Sequence, residues 1–501
     1  MKTEPDFAAF AEIYSAGRGQ AVFARRIADL ETPVSACLKL AGGRDNTFLL
    51  ESVQGGETRG RYSIIGIEPD LVWRCRSGRA EIARGGAHEF TPAEAANRPL
   101  DSLRSYISAT SMELPAALPP MAVGLFGYLG YDMVRFIERL GPAPPDPLDL
   151  PDAILLRPTI TAVFDNIRDE IILVTPVWPL DGVDAAAAYT RALNRLSTAA
   201  ARLDAPAPVP AMLQTPAAPE QIRSNISRDD YLALVERAKA YILAGDIFQV
   251  VPSQRFRRPF ALPPFLLYRA LRRLNPSPFL YHLAFPGFAI VGSSPEILVR
   301  LRDDTVTIRP IAGTRPRGAT PGEDAALARE LMADPKERAE HLMLLDLGRN
   351  DVGRVAATGT VEVTDSFFIE RYSHVMHLVS NVEGRLREGL DAVDALAAGL
   401  PAGTLTGAPK IRAMEIIDEF EKEKRGAAYA GAIGYFAANG TMDTCIVLRT
   451  AIVKDGMMYV QAGGGVVADS VPEAEYQETV NKAKALFSAA DEAVRFASSG
   501  A

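Results

Sequence analysis

Seventeen residues from Asp204 to Glu220 carry five prolines, Pro206, Pro208, Pro210, Pro216 and Pro219. Proline has no backbone donor and fixes its own φ, so neither a helix nor a sheet ladder tolerates that density. The segment predicts a semi-extended linker. It divides the chain into an N-terminal region, 1–203, a linker, 204–226, and a C-terminal region, 227–495. A second proline-rich stretch, Pro142 to Pro151, reads as a surface loop within the first region, because strand-like text resumes at once in AILLRPTITAVF and EIILVTPV.

Before the linker, strand-like runs dominate: TFLLESV, RYSIIGIEP, LVWRCR and AVGLFGYLGY. The alanine-rich run Val183 to Leu203 has helical spacing. After the linker, Ser227 with Asp230 three residues on predicts a helix start. Leu234, Val235, Ala238, Tyr241 and Ile242 then recur at helical spacing up to a stop at Gly245. Strand text returns in DIFQVVPSQ, FAIVGSS, EILVRL and TVTIRP. Strands grouped in runs, with helices between the groups, predict an α+β fold of layered antiparallel sheets packed with helices.

The 501 residues are 48% hydrophobic and 23% charged, enough to bury a core without staples. The net charge of −8 and the lack of a Lys/Arg block argue against a nucleic-acid partner. No run approaches about 18 apolar residues, so no membrane span is expected. MKTEPDFAAF has no apolar h-region, so no secretory leader is expected either. Cys37, Cys75 and Cys445 are far apart and form no CxxC pair, which points to a reducing, cytoplasmic setting rather than a disulfide framework or zinc site.

Two acidic helices stand out. Asp334 suits an N-cap and Pro335 the first helical position, which puts Glu337 and Glu340 on one face. Ser470 and Glu473 read as a capping box, with Glu475 and Glu478 again three apart. Two such pairs suit Mg²⁺, an oxygen-seeking ion that takes one or two direct carboxylates. By spacing alone they read as solvated faces, with Glu478 paired to Lys482, since such pairs are common on exposed helices. MMYVQAGGGVV leaves a strand into Gly463, Gly464 and Gly465, where backbone N–H groups can approach an anion. GTLTGAPK lacks the G-K-[ST] ending of a nucleotide loop. IRPIAGTRPRG reads as a loop. Of the five histidines, His374 and His377 lie three apart in YSHVMHLVS, which fits either strand or helix.

Taken together, LLES, NPSPF, SSPE, PIAGT, KERAEH, SHVMH, GTLTGAPK, CIVLR, QAGGGVV and ETVNKAKA, in that order from Leu49 to Ala485, resemble the chorismate-utilising enzymes. Within that family they are most similar to the anthranilate synthase large subunits. The resemblance implies a chorismate-utilising fold with an interleaved N-terminal regulatory region, and a Mg²⁺-dependent site. Glu340 and Glu478 match the family's direct metal ligands, and Glu337 and Glu475 its water-mediated carboxylates. Tyr429, Arg449, Gly463, Gly464, Gly465 and Lys482 match positions that hold substrate carboxylates, with Gly313, Thr314 and Thr404 as further contacts. His377 is similar to the histidine near the departing C4 hydroxyl, and Glu296 to the acid that protonates it.

Two positions select the chemistry. Gln249 stands where isochorismate- and salicylate-forming relatives carry a water-activating Lys, and Ala312 where aminodeoxychorismate synthases carry a nucleophilic Lys. The resemblance therefore implies direct amination at C2, then pyruvate elimination to anthranilate, the first committed step of tryptophan biosynthesis. No cysteine sits in a glutaminase setting, so ammonia is expected from a separate glutaminase (component II) subunit, in a heterotetramer of two large and two small subunits. Ser52, Pro278, Phe279 and Leu280 resemble the family's site for inhibitory L-tryptophan. Two alternatives stay open: a 2-amino-2-deoxyisochorismate synthase subunit, and a silent tryptophan-binding paralogue.

Overall fold

The computed structural model describes residues 2–54, 58–86, 89–208, 221–372, 375–426 and 428–499. Most of the proline-rich linker, His88 and His374 lie outside them. The alanine-rich run is a helix, Ala185–Asp204, and the Ser227 start is real: its side chain caps Asp230 N above the helix Arg228–Leu243.

Among the described residues, 22 strands join in one antiparallel network. Its spine is the pair Thr58–Arg76 and Ala153–Asp165. Every residue of Ala153–Asp165 is buried, as in a strand covered on both faces, Arg157 included through its pair with Asp70. From this spine one arm runs through Thr47–Gln54, Phe279–Phe285, Phe288–Ser294, Thr450–Lys454, Met457–Gly463 and Ser253–Pro259. The other runs through Gly124–Leu129, Ala432–Ala437, Met442–Ile446, Ile297–Arg302, Thr305–Ile308 and Val375–Arg385. Each arm opens on a strand from before the linker and continues through strands from after it, so the two halves of the chain share one sheet network.

Side-chain alternation builds the layers. Tyr281, Leu283 and Phe285 of one strand enter a core between the arms, with Phe126, Tyr128, Ile433 and Ile452. Leu280 of the same strand faces a second core, shared with Leu267, Leu271, Leu486, Phe487 and Ala490 of two helices. A third core joins the other arm to the helix Pro335–Val355 and its neighbours. The layering is helix, sheet, sheet, helix.

Two local expectations need correction. Ile311–Pro316 is a strand rather than a loop; it pairs with Val375–Arg385 across a bulge between Ala312 and Thr314. The C-terminal helix spans Pro472–Ser499, and Ser470 and Glu473 do not form a capping box. The Ser470 hydroxyl instead accepts from Val467 N at 3.0 Å and bonds the Glu475 carboxylate, while Glu473 pairs with Arg228.

Candidate active site

The two acidic helices bring their carboxylates within electrostatic reach of one another. Asp334 caps the helix Pro335–Val355 by accepting from Lys336 N and Glu337 N. Glu340, one turn on, is held above the usual carboxylate range by burial and by the negative charges of Glu337 and Glu478. Glu475 is also raised, by burial and by Glu478. Three of the four carboxylates are turned to protein partners: Glu337 to Arg315 at 2.9 Å, Glu475 to Ser470, and Glu478 to Lys482 at 2.7 Å. Among the described residues no three metal-ligating side chains close into a cage. The donor set still suits a hard divalent cation, whose charge would relieve the repulsion that raises Glu340.

The strand Ile311–Pro316 joins this cluster to the sheet. Gly313 has φ +62, and a Cβ there would lie 2.9 Å from Glu337 Oε2. The left-handed φ favours glycine, and an added Cβ would push the Glu337 carboxylate aside. Its carbonyl lies 3.0 Å from His377 Nδ1, and Thr314 Oγ1 lies 3.1 Å from the same nitrogen. Burial holds His377 at about 4, so the imidazole is neutral. With Nδ1–H donated to Gly313, Nε2 is a bare acceptor, and it is buried with no hydrogen-bond partner. His377 lies in the strand Val375–Arg385.

Glu296 lies between the strands Phe288–Ser294 and Ile297–Arg302. Burial pushes its carboxyl up to about 8, against Thr404 (Oγ1 to Oε1 3.4 Å), Arg449 and the backbone N–H of Ile311. It is a carboxylic acid that keeps its proton at neutral pH. Arg449 is lowered by burial, and its guanidinium makes no ion pair with a described residue.

Gln249 opens a two-residue strand paired with Gly407–Ala408 of the GTLTGAPK segment. Its Oε1 is buried without a partner, and a Cβ on Gly465 would come within 2.3 Å of its Nε2. The backbone of Gly463 bonds the Tyr429 hydroxyl, Gly464 N donates to Pro252 O at 3.3 Å, and Lys482 reaches Gly463 O at 2.9 Å. Behind these lies a buried network that the sequence did not announce. Arg425 bonds Glu421, Val251 O and Leu405 O, and its guanidinium lies 5.7 Å from the Tyr429 ring. Glu421 in turn accepts from Ser253, and Gln461 bridges Ser253 to Gly426. The structure thus groups Gln249, Gly465, Tyr429, Gly463 and Lys482 on one side, and Glu296, Thr404, His377, Gly313 and Arg449 on the other. The acidic helices meet both.

Comparison with known proteins identifies the family. The family model for chorismate binding enzyme matches residues 46–488. The chain belongs to that family. It is 59% identical over 494 residues to anthranilate synthase component 1 of Cereibacter sphaeroides, covering 98% of both chains. The corresponding protein of Pseudomonas aeruginosa is 51% identical, with 92% of this chain and 94% of the relative covered. Among solved structures, anthranilate synthase component I from Streptococcus pneumoniae superposes with a TM-score of 0.74 at 39% identity, covering 85% and 92% of the two chains. The menaquinone-specific isochorismate synthase of Escherichia coli shares the fold at 20% identity, with a TM-score of 0.70 and 94% of each chain covered.

This chorismate-binding enzyme has a cavity of about 600 Å³ between the two sheet arms. Ser52, Pro278, Phe279 and Leu280 all line it, and Ser52 stands directly across from Phe279 in the sheet. Pro295 and Ile297, the neighbours of Glu296, line it too. The three cysteines are buried, and burial raises each thiol, Cys37 to about 12. None is a nucleophile at neutral pH. No helix among the described residues is long and apolar enough to cross a membrane.

Proposed function

We propose that this enzyme aminates chorismate at C2 with ammonia and then eliminates pyruvate to give anthranilate, opening tryptophan biosynthesis in the cytoplasm. The observation that carries this reading is Gln249: a buried neutral amide with an unpartnered Oε1, in the position from which the nucleophile is expected to attack. An amide cannot deprotonate water, but its oxygen can accept an N–H of ammonia and aim the lone pair. Ala312 offers only a methyl group where a covalent route needs an amine.

The chain's own groups supply the rest. Glu296 gives its proton to the departing C4 oxygen. His377, neutral and fixed by Gly313, accepts the C4 O–H at Nε2 and turns that oxygen toward Glu296. Arg449, Tyr429, Lys482 and the backbone of Gly463, Gly464 and Gly465 hold the substrate carboxylates, with Gly313, Thr314 and Thr404 completing the pocket. Glu340 and Glu478 would hold Mg²⁺, with Glu337 and Glu475 acting through water. Bound there, the ion neutralises a ring carboxylate and polarises the ring.

Ammonia comes from a separate glutaminase subunit, in keeping with the raised thiols here and the "component 1" names of the relatives. Two large and two small subunits form the working assembly. L-tryptophan binds in the inter-sheet cavity, with its polar end at Ser52 and the indole against Pro278, Phe279 and Leu280. The test is the purified chain with chorismate, Mg²⁺ and ammonium at alkaline pH, followed by anthranilate fluorescence. Anthranilate without a partner is the expected result, and glutamine alone should yield none. Accumulated 2-amino-2-deoxyisochorismate, salicylate, isochorismate or no product would overturn the proposal.

A further inference from the structure

His377 is held by polar contacts at one end of its ring only. Gly313 O and Thr314 Oγ1 both meet Nδ1, while Nε2 has no hydrogen-bond partner. A ring tied at one atom can still swing about that tie, and Nε2 is the atom that the proposed reaction uses. A second contact has to fix the plane of the imidazole.

The sheet register supplies it. Glu370 stands opposite His377 in the ladder between Glu362–Arg371 and Val375–Arg385, and Tyr372 follows two residues on, toward the same face. The Tyr372 ring meets the imidazole edge-on, with centroids 5.4 Å apart and planes inclined at 61°. Both side chains are buried. Tyr372 also lies within electrostatic reach of Glu296 and Arg449, the other groups of the catalytic pocket.

Tyr372 is itself held at both ends. Its carbonyl accepts from Arg317 Nη1 at 2.7 Å, and Arg317 is fixed by Asp324, Nε to Oδ1 2.7 Å. Its hydroxyl, kept neutral by burial, bonds the Glu370 carboxylate, which pairs with Arg309 at 2.9 Å. Arg309, Glu370 and Tyr372 all line the cavity between the sheet arms. The ring therefore borders open space, and packing alone does not fix it. The polar ties do.

We propose that Tyr372 is a positioning residue for His377: its ring, tied through the hydroxyl to Glu370 and Arg309, holds the imidazole so that Nε2 meets the C4 hydroxyl of the substrate. The inference rests on His377 orienting that oxygen in the proposed reaction.

The test is a double-mutant cycle on the full-length protein with chorismate, Mg²⁺ and ammonium. Tyr372→Leu should lower kcat about 10- to 100-fold, with KM for chorismate changed by less than about twofold. Tyr372→Phe, which keeps the ring, should recover most of that loss. In a His377→Gln background, Tyr372→Leu should cost less than about twofold more, because the group it acts through is already gone. A ring that only supports the fold would cost the same factor in both backgrounds, and that result overturns the inference. So does a Tyr372→Phe variant as slow as Tyr372→Leu.

Should Tyr372→Leu fail to fold, Glu370→Gln loosens the ring from its other end. It should lower kcat about two- to fivefold when residue 372 is tyrosine and cost nothing further in Tyr372→Phe, which has no hydroxyl to release. An equal loss in both refutes the tie. Wild-type turnover in His377→Gln would remove the role of the histidine and the inference with it. A slow His377→Gln with fully additive losses sinks the role of Tyr372 alone.

Discussion

His377 Nδ1 lies 3.0 Å from the carbonyl oxygen of Gly313, across the bulge that joins the catalytic strand to the sheet. That bond selects the tautomer, and burial holds the ring at about 4 against an ordinary 6.5. His282 and His341 are held at about 4 for the same reason. Between those values the unfolded chain binds protons that the native state refuses, so stability falls as pH drops from about 6.5 to about 4 and is fully present above that window. In urea titrations across this range, His377→Gln should reduce the slope of unfolding free energy against pH by about one proton. An unchanged slope would mean that His377 is charged in the native state.

Glu296 acts in the opposite sense. Its folded value of about 8 lies above the ordinary 4.5, so the native state holds a proton the unfolded chain has lost, and stability declines as pH rises from about 4.5 to about 8. Glu296→Gln should remove that decline, a gain on the order of a few kcal/mol at pH 8, while lowering kcat by ~10²–10⁴-fold with little change in KM for chorismate. A variant that lost both stability and substrate affinity would be a packing residue, not a proton donor.

Much of this was legible in the sequence, and the failures have causes. Caps are local, so Asp334 with Pro335 and Ser227 with Asp230 marked helix starts correctly. The strand Ile311–Pro316 was not readable, because its conformation is set by pairing with residues 375–379 rather than by its own glycine- and proline-bearing text. Ser470 and Glu473 have capping-box spacing, but other partners took both: the nearby Val467 and Glu475 for the serine, and the distant Arg228 for the glutamate. Arg425 and Glu421 are four apart, but the links from Glu421 to Ser253, from Ser253 to Gln461 and from Asp351 to Lys410 span 168, 208 and 59 positions, and no periodicity records such contacts.

Gln249 shares a tight space with Gly465, where a Cβ would come within 2.3 Å of the amide nitrogen. Gly465→Ala should therefore displace the amide and lower the rate with ammonia by at least about tenfold, with the fold retained. Gln249→Lys introduces an amine able to activate water once deprotonated. Chromatography of its products should show anthranilate reduced and a water-derived isomer of chorismate appearing. An unaltered product with unaltered rate would mean that Gln249 does not border the attack position.

The repulsion among Glu337, Glu340 and Glu478 predicts a metal response apart from turnover. Without Mg²⁺, Glu340→Gln should melt at or above the temperature of the unaltered protein, because one of the clustered charges is gone. Adding Mg²⁺ should raise Tm in the unaltered protein and much less in the variant, and Glu340→Ala or Glu478→Ala should abolish turnover. Equal Mg²⁺ increments in Tm, with near-normal rates, would place the ion elsewhere.

The proposed tryptophan site places Ser52 opposite Phe279. Its hydroxyl donates to Tyr62 O at 3.1 Å at the wall of the inter-sheet cavity, away from the acidic helices and from Gln249. Pro295 and Ile297 line the same cavity and flank Glu296, the proposed proton donor, so a molecule wedged against that wall bears on the turn that carries it. Ser52→Ala should weaken tryptophan inhibition about 3- to 10-fold, the worth of one hydrogen bond, and leave the uninhibited kcat and KM for chorismate unchanged. By reciprocity, saturating chorismate should weaken tryptophan binding, measured by calorimetry, by the factor with which tryptophan weakens chorismate binding. If tryptophan affinity stays unchanged in Ser52→Ala and is lost instead on blocking the chorismate pocket, the inhibitor competes at the catalytic site and the cavity between the sheets has no part in regulation.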